Sequence, residues 1–318
     1  AIDAATGAIS HVGSQSVSSH SIYGLTLAAG NRFLYVANMQ GNAIAAFSVD
    51  AGTGNLTPIA GSPFATGAMG PRTISATPDG RFLHVEGQSS SSVSTFAIDA
   101  VTGALSVSGA PVASGSQPTS IATTPNGKFT YTANASSLDV SAYSIDASSG
   151  ALSAVGTYAL SLGSAAFSVG IEPRGKFLYV SNYDNAIFGF EIDDGAGTLT
   201  PVSGSPFLTG ALPKFAAAEP GARFIYVANA TSQDIAAFSI DPTSGALSAI
   251  GGSPFANGTA ADNITVAPDG KFAYVSSEVA GIVSVYSRDQ ATGALTPISG
   301  SPFSTGSLRP TNLVILAQ

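Results

Sequence analysis

The chain has 318 residues, a formal net charge of −8 and only 9% charged residues, against roughly 25% in average globular proteins. Such a composition lacks the basic stripe that neutralises a phosphate backbone, so we expect no nucleic-acid partner. Cysteine is absent, which excludes disulfides and thiol chemistry. No uninterrupted apolar stretch approaches the ~20 residues of a membrane-spanning helix, so we expect no membrane span.

The chain begins at Ala1 without methionine, which favours a processed, exported protein. We therefore expect an extracellular or cell-surface location, with the periplasm as an alternative. The scarcity of Lys and Arg is in keeping with such a location.

An aspartate motif, D-x-x-[TSA]-G-x-[LI]-[ST], is present seven times. An aspartate at a strand end accepts hydrogen bonds from backbone N–H groups further on, and glycine permits the reversal. Calcium is the alternative, but each motif offers one carboxylate and calcium needs several converging oxygens. The motif therefore predicts turns and no metal site; its aspartates are Asp3, Asp50, Asp99, Asp146, Asp193, Asp241 and Asp289.

A second block, typified by FLYVAN, occurs six times at intervals of 47 to 49 residues. Its apolar residues occupy both faces, as in a strand buried between two other sheets. Each repeat also contains a run before a Pro/Gly turn, a run such as IAAFSVD and a short run such as ALTPI. The blocks begin at Phe33, Phe82, Phe129, Phe177, Phe224 and Phe272.

Repeats of this length with four short strands predict an all-β fold, a seven-bladed β-propeller of four-stranded antiparallel blades. We expect one domain over residues 1–318, with six complete repeats at about 22–303. First strands and aspartate motifs number seven, whereas second strands number six. The seventh blade is therefore expected to be incomplete and closed by pairing of the terminal segments 1–21 and 304–318, with residues 1–12 and 311–316 in one blade. A trimmed N-terminal segment, a degenerate blade and strands donated by a neighbouring molecule are the open explanations.

The YVAN and YVSN blocks, with their GALTPISGSPF connectors, resemble the YVTN-type repeats of lactonase-like seven-bladed propellers. That family includes 6-phosphogluconolactonase and carboxymuconate-cyclase relatives. The resemblance covers essentially the whole chain. It implies a central channel around which His, Arg and Glu side chains act in the enzymes. The sequence has no zinc-type histidine spacing and no Gly-rich phosphate loop, so we expect no cofactor.

The position ten residues before each repeated phenylalanine varies, and a varying position can carry function. Arg72 and Lys214 could bind a carboxylate or phosphate, and Tyr23 and Phe167 could flank an apolar part of the ligand. Asp262 belongs to the same set. Lys214 and Asp262 could instead pair with each other, and Arg72 could pair with Glu86, which would make these charges structural.

Four residues are candidate catalytic groups: His20, Arg72, Glu86 and Lys214. His20 lies in the loop before the first strand and could act as a general base. Glu86 replaces the Ala or Ser of the other repeats. His84 stands where the other repeats have Tyr, which favours an aromatic core or interface role over catalysis.

A pair of carboxylates, Glu172 and Glu219, could perform acid–base chemistry. Solvated positions at the rim are the expected alternative for this pair.

Two functions remain open. The first is a non-catalytic binding or assembly scaffold, with a surface partner or self-association through the incomplete blade. The second is a lactone hydrolase or muconate-type cyclase acting on a small anionic or lactone ligand at the channel mouth.

Overall fold

The computed structural model describes residues 1–17, 22–161, 165–306 and 309–316. It divides into two compact units. The N-terminal unit comprises Val12–Ala166 and Asp194–Thr198, and the C-terminal unit comprises Ala1–His11, Phe167–Asp193 and Leu199–Ala317. No part of the described chain forms a long apolar helix of the kind that crosses a bilayer.

The N-terminal unit contains three antiparallel sheets, each following the chain in a meander. Blade 1 comprises β1 (Ile22–Ala28), β2 (Phe33–Asn38), β3 (Ala43–Val49), β4 (Leu56–Pro58) and β5 (Phe64–Ala65). Blade 2 comprises β6 (Pro71–Ala76), β7 (Phe82–Gly87), β8 (Ser92–Ile98), β9 (Leu105–Val107) and β10 (Val112–Ala113). Blade 3 comprises β11 (Pro118–Thr123), β12 (Phe129–Asn134), β13 (Asp139–Ile145) and β14 (Leu152–Ala159).

Three further sheets of the same kind have nearly all their residues in the C-terminal unit. Blade 4 comprises β15 (Ala166–Ile171), β16 (Phe177–Asn182), β17 (Ala186–Ile192), β18 (Leu199–Pro201) and β19 (Phe207–Leu208). Blade 5 comprises β20 (Pro213–Ala218), β21 (Phe224–Asn229), β22 (Asp234–Ile240), β23 (Leu247–Ala249) and β24 (Phe255–Ala256). Blade 6 comprises β25 (Asn263–Val266), β26 (Phe272–Ser277), β27 (Ile282–Arg288), β28 (Leu295–Pro297) and β29 (Phe303–Ser304).

The predicted four-strand repeat is confirmed, with one difference in the fourth strand. In five blades this strand is two short pieces that both pair with the third strand, as β4 and β5 pair with β3. The serine of the Gly-Ser-Pro-Phe connector fills the interruption, since the Ala46 N–H donates to Ser62 Oγ at 2.9 Å and the Val285 N–H to Ser301 Oγ at 2.8 Å. Blades 1, 4, 5 and 6 have this connector, whereas blade 2 is interrupted with Gly-Ala-Pro-Val at 109–112 in its place. In blade 3 the fourth strand β14 is continuous over eight residues.

The aspartate motifs form turns, as the sequence predicts. In blade 2, Asp99 Oδ1 accepts bonds from the N–H of Val101 at 3.0 Å and from the N–H and hydroxyl of Thr102 at 2.7 and 2.8 Å. These bonds hold the pKa of Asp99 below its usual value because they favour the carboxylate. Gly103 closes the turn with φ +73°, where glycine is favoured.

The repeated aromatics connect neighbouring blades through these turns. The Tyr35 hydroxyl of blade 1 donates to the Gly103 carbonyl of blade 2 at 2.7 Å, and the Phe33 ring lies directly against Gly103. His84 replaces Tyr at the same position of blade 2, and its Nε2 lies 3.0 Å from the Gly150 carbonyl. The predicted core or interface role of His84 is therefore confirmed.

Tyr35→Phe is expected to lower the free energy of unfolding by about 1–3 kcal/mol, because the buried Gly103 carbonyl loses its donor. Urea denaturation measures the change. Tyr183→Phe is the matched control: that side chain is 41% exposed, and an exposed substitution should change stability by about 0.5 kcal/mol or less. Equal effects of the two substitutions would contradict the role of the bond.

The predicted count of seven blades, the seventh incomplete, is wrong for the described residues, which form six sheets. Residues 1–11 contain one isolated bridge, between Ile2 and Ile9, and residues 309–316 contain no regular strand. Both segments nevertheless pack on blade 6, where Ile2, Ile9, Leu313 and Ile315 contact a cluster that includes Phe272. A terminal segment becomes a strand only when a second strand pairs with it along its length. That both segments belong to one closing blade stays a prediction.

Candidate functional site

The varying positions at the start of the first strands lie in β-bulges. In blade 2 the register shifts between Pro71 and Ile74, and in blade 5 between Pro213 and Ala216. Arg72 and Lys214 therefore lie outside the regular ladder of their strands. A bulge redirects side chains and leaves backbone groups for other partners, so these positions can vary without loss of the sheet.

In the N-terminal unit, Arg72 lies over the ring of Tyr23. The guanidinium carbon is 5.3 Å from the ring centroid, within the range of a cation–π contact. Tyr23 is in β1 and Arg72 in β6, so adjacent first strands bring them together. The structure thus joins two of the predicted ligand-binding residues, with the guanidinium over an aromatic face.

Glu86 lies in β7 of the same blade and is fully buried. Its Oε1 accepts bonds from the Thr73 N–H at 3.1 Å and the Thr73 hydroxyl at 3.0 Å. Within the described chain, its Oε2 is buried and has no hydrogen-bond partner. In blade 4 the equivalent Ser181 Oγ accepts from the Ser168 N–H at 3.2 Å, so Glu86 adds an ionisable group to a position that serine fills elsewhere.

Burial raises the pKa of Glu86 to about 7, and the Arg72 charge partly opposes this rise. A carboxyl group in an apolar environment loses the hydration that favours its ionised form. Glu86 therefore changes charge near neutral pH, within the electrostatic reach of Arg72. Carboxyl groups with such pKa values are common at catalytic sites.

In the C-terminal unit, Lys214 and Asp262 form an ion pair. Lys214 Nζ lies 2.6 Å from Asp262 Oδ1, and the other carboxylate oxygen accepts the Glu278 N–H at 2.6 Å. Asp262 is buried and Lys214 half-buried. The structure therefore shows the alternative in which Lys214 and Asp262 pair with each other. Because Asp262 neutralises the lysine charge, Lys214 is a weaker candidate for binding an anion.

An aromatic group lies beside this ion pair. The Phe167 ring makes edge contacts with Tyr183, at 5.4 Å between centroids, and with Phe215, at 5.6 Å. Lys214 Nζ is 5.9 Å from the Phe167 centroid. Aromatic walls with a few polar groups are typical of small-molecule sites, so this arrangement suits the apolar face of a ring.

Sequence analysis did not single out Tyr183, Thr73 or Glu278. Tyr183 follows the FLYVSN block, where the other repeats have Met, Gln, Ala, Ala and Glu. Because Tyr183 departs from the repeat at this position, the sequence could have identified it as a candidate site residue. Thr73 donates through its backbone N–H and its hydroxyl, and Glu278 donates through its backbone N–H. No residue pattern reveals a backbone donor. His20 lies outside the described residues.

The solvated-rim interpretation of Glu172 and Glu219 is wrong, since both are buried. Glu172 accepts the N–H groups of Arg174 and Lys176, each at 2.8 Å, in the turn that follows it. Glu219 does the same in blade 5 and lies 3.4 Å from the buried Arg288. Hydrogen bonds from several turn N–H groups replace the water that such a carboxylate loses on burial.

Comparison with known proteins supports the expected resemblance. A model of the family described as "Lactonase, 7-bladed beta-propeller" matches residues 4–117 and 115–260. A search of curated proteins finds no match.

Solved structures share the fold. Candidate 6-phosphogluconolactonases from Bacteroides uniformis and Bacteroides fragilis both superpose with a TM-score of 0.84, at 19% and 20% identity. Each comparison covers 98% of this chain, and 92% and 90% of the respective neighbour. A periplasmic gluconolactonase from Pseudomonas aeruginosa superposes with a TM-score of 0.76 at 22% identity, covering 95% of this chain and 92% of the neighbour. The family model matches well over half of the sequence, and the chain therefore belongs to the lactonase family of β-propellers.

Proposed function

We propose that the protein hydrolyses a lactone, with Arg72 as the group that binds the reacting carbonyl. The observation that carries the proposal is a buried carboxyl group, Glu86, whose pKa is raised to about 7 within the electrostatic reach of Arg72, which lies over the Tyr23 ring. Membership of the lactonase family supports this function over a non-catalytic scaffold.

In the proposed reaction, the oxygen of a water molecule attacks the ring carbonyl carbon, and the bond between that carbon and the ring oxygen breaks. Negative charge develops on the carbonyl oxygen in the transition state. The Arg72 guanidinium stabilises this charge, as preorganised donors do in acyl transfer. The released alkoxide takes up the proton that the water gives up, which leaves an open-chain hydroxy acid.

Glu86 is a positioning residue in this scheme, because it is buried and acts through Arg72. When ionised, it attracts the guanidinium and fixes its place over Tyr23. When protonated, it releases that electrostatic constraint. Glu86→Gln should therefore remove the limb of the pH–rate profile near pH 7, since glutamine does not titrate, while a merely structural role would leave the profile's shape unchanged.

Arg72→Ala is expected to lower kcat/KM by about 10²–10³-fold, the usual cost of losing an oxyanion donor. Hydrolysis of glucono-δ-lactone and of its 6-phosphate ester, corrected for spontaneous hydrolysis, measures the change. Arg81→Ala is the control, because Arg81 belongs to the same blade and pairs with the exposed Asp79. An unchanged rate in Arg72→Ala, or no turnover of either lactone by the unmodified protein, would contradict the proposal.

The cellular location of the protein is also part of the proposal. A location outside the cytoplasm is supported by the charge-poor composition and by the periplasmic origin stated for the Pseudomonas neighbour.

A further inference from the structure

A polar cavity lies between blades 2 and 3, within the N-terminal unit, and has a volume of about 530 Å³. Three segments form its wall: the loop from β7 to β8, the residues before β11 and the loop from β12 to β13. Cavities of this size are typical of small-molecule sites. The lining residues are Gln88, Ser89, Ser91, Ser116, Gln117 and Ser136.

The side chains of this wall are all hydroxyls or amides, which both donate and accept hydrogen bonds. An apolar ligand would leave these groups unpaired, which costs free energy. An anionic ligand would meet no Lys or Arg among the lining residues, although such cations are the usual partners of carboxylate and phosphate. The wall therefore suits an uncharged ligand that carries many hydroxyl groups.

The repeat does not produce this composition. Gln88 follows the second strand of blade 2, and the equivalent residue of blade 4 is Tyr183. Gln117 precedes the first strand of blade 3, and the equivalent residue of blade 5 is Leu212. Residues that depart from a repeat are free of its scaffold role, so the cavity between blades 2 and 3 is a candidate site of its own.

Hydrogen bonds within the loops hold the cavity wall in place. The Gln88 N–H donates to the Gly70 carbonyl at 2.9 Å, and the Ser136 N–H donates to the Ser116 carbonyl at 3.1 Å. The Ser136 hydroxyl donates to Gln117 Oε1 at 2.8 Å, which fixes this amide and leaves its NH2 group as a donor. A wall that is already ordered loses little conformational entropy when a ligand binds.

Other polar groups of the wall are available to a ligand. Within the part of the chain that the structure describes, the Gln88 amide and the hydroxyls of Ser89 and Ser116 have no protein partner. Met69 adjoins them, since its carbonyl accepts the Ser89 N–H at 3.1 Å, and it is 60% exposed. The site thus offers several hydrogen-bonding groups and one apolar side chain at its edge.

We propose that the cavity between blades 2 and 3 binds a neutral carbohydrate. The amide NH2 groups of Gln88 and Gln117 would donate to sugar hydroxyls, and the hydroxyls of Ser89 and Ser116 would pair with others. Met69 would contact the carbon-bound hydrogens of the sugar ring. The cavity contains none of the residues of the proposed lactone site, so the proposal does not depend on that activity.

Saturation-transfer difference NMR measures binding directly. The neutral probes are glucose, galactose, cellobiose and lactose, so that a preference for a free sugar is distinguished from a preference for a longer glycan. Glucuronate and glucose 6-phosphate are the anionic probes. The Arg72→Ala protein is used beside the unmodified protein, because it removes the cation of the proposed lactone site.

In both proteins we expect saturable binding of at least one neutral probe. In Arg72→Ala the anionic probes should bind about threefold more weakly or worse, since no lining residue neutralises their charge. Absence of saturable binding by all four neutral probes would overturn the proposal. Equal binding of the anionic probes in Arg72→Ala would also contradict it.

Substitutions in the wall locate the site. Gln88→Ala should weaken binding about two- to tenfold through the loss of a hydrogen bond. Gln117→Asn should do the same, because asparagine is shorter yet tolerates the φ of +52° at this position. Gln40→Ala is the matched control, since Gln40 is an exposed glutamine in the corresponding loop of blade 1. Circular dichroism and Tm confirm folding, and equal binding by all three variants would place the ligand elsewhere and overturn the proposal.

Discussion

Phe177→Ala is expected to lower the free energy of unfolding by about 3–5 kcal/mol, the usual cost of removing a buried aromatic ring from a core. Phe177 is fully buried in blade 4 and packs with Ile225 of blade 5. Its ring also lies against the turn glycine Gly245. The substitution therefore empties space between two blades, and chemical denaturation measures the loss. Leu208→Ala, at a position 78% exposed, is the control and should have little effect.

A second substitution tests whether the ring and the turn act together. Gly245→Ala places a Cβ 2.4 Å from a Phe177 ring carbon at a φ of +73°, so it should destabilise the protein through both a clash and backbone strain. In the Phe177→Ala background the clash is absent and only the strain remains. The cost of Gly245→Ala should therefore be smaller in that background. Additive effects of the two substitutions would show that the ring does not restrict this glycine.

Glu86 is expected to make the free energy of unfolding depend on pH, which is the second large effect. Burial raises its pKa from 4.5 to about 7 in the folded protein. Below pH 4.5 the group is protonated in both states, and its contribution to stability is fully present. Between pH 4.5 and about 7 the unfolded state has released this proton while the folded state still holds it. The free energy of unfolding therefore falls as the pH rises through this range, by ~3 kcal/mol in total.

Comparison with Glu86→Gln isolates this effect. Glutamine stays neutral, so the difference in unfolding free energy between the two proteins should change by ~3 kcal/mol from pH 4.5 to 8. Burial lowers the pKa of His84, so the contribution of His84 to the free energy of unfolding rises with pH. This contribution is the same in both proteins and cancels in their difference. Urea denaturation at several pH values measures the two curves. Parallel curves would contradict the raised pKa.

Several parts of the fold were predictable because their causes are local. The FLYVAN-type blocks are buried strands with the predicted bounds, as in β2 and β16. Alternation, turn residues and aromatic content act within a few residues, so a single repeat carries the signal. The division of the fourth strand was not predicted, because it depends on Ser62 reaching a strand that lies earlier in the chain.

The candidate site was predictable only where a residue departs from the repeat. Arg72, Glu86 and Lys214 stand out in that way, and the structure gives each a defined partner. The prediction for Glu172 and Glu219 was wrong because a Glu directly before a turn proline is expected at an exposed position. Their burial depends on turn N–H groups that donate to the carboxylates, which the sequence does not display.

The sequence by itself determined the all-β repeat, the four-strand unit, the aspartate turns and the positions that depart from the repeat. These features depend on periodicity and turn chemistry, which act over short distances along the chain. Only the tertiary structure decided that Glu86 is buried beside Arg72, that Lys214 is neutralised by Asp262, and that the repeated tyrosines bond to turn glycines about 66–68 residues further on. The physical reason is that burial and pairing are set by packing between blades, and packing joins residues that no local pattern connects.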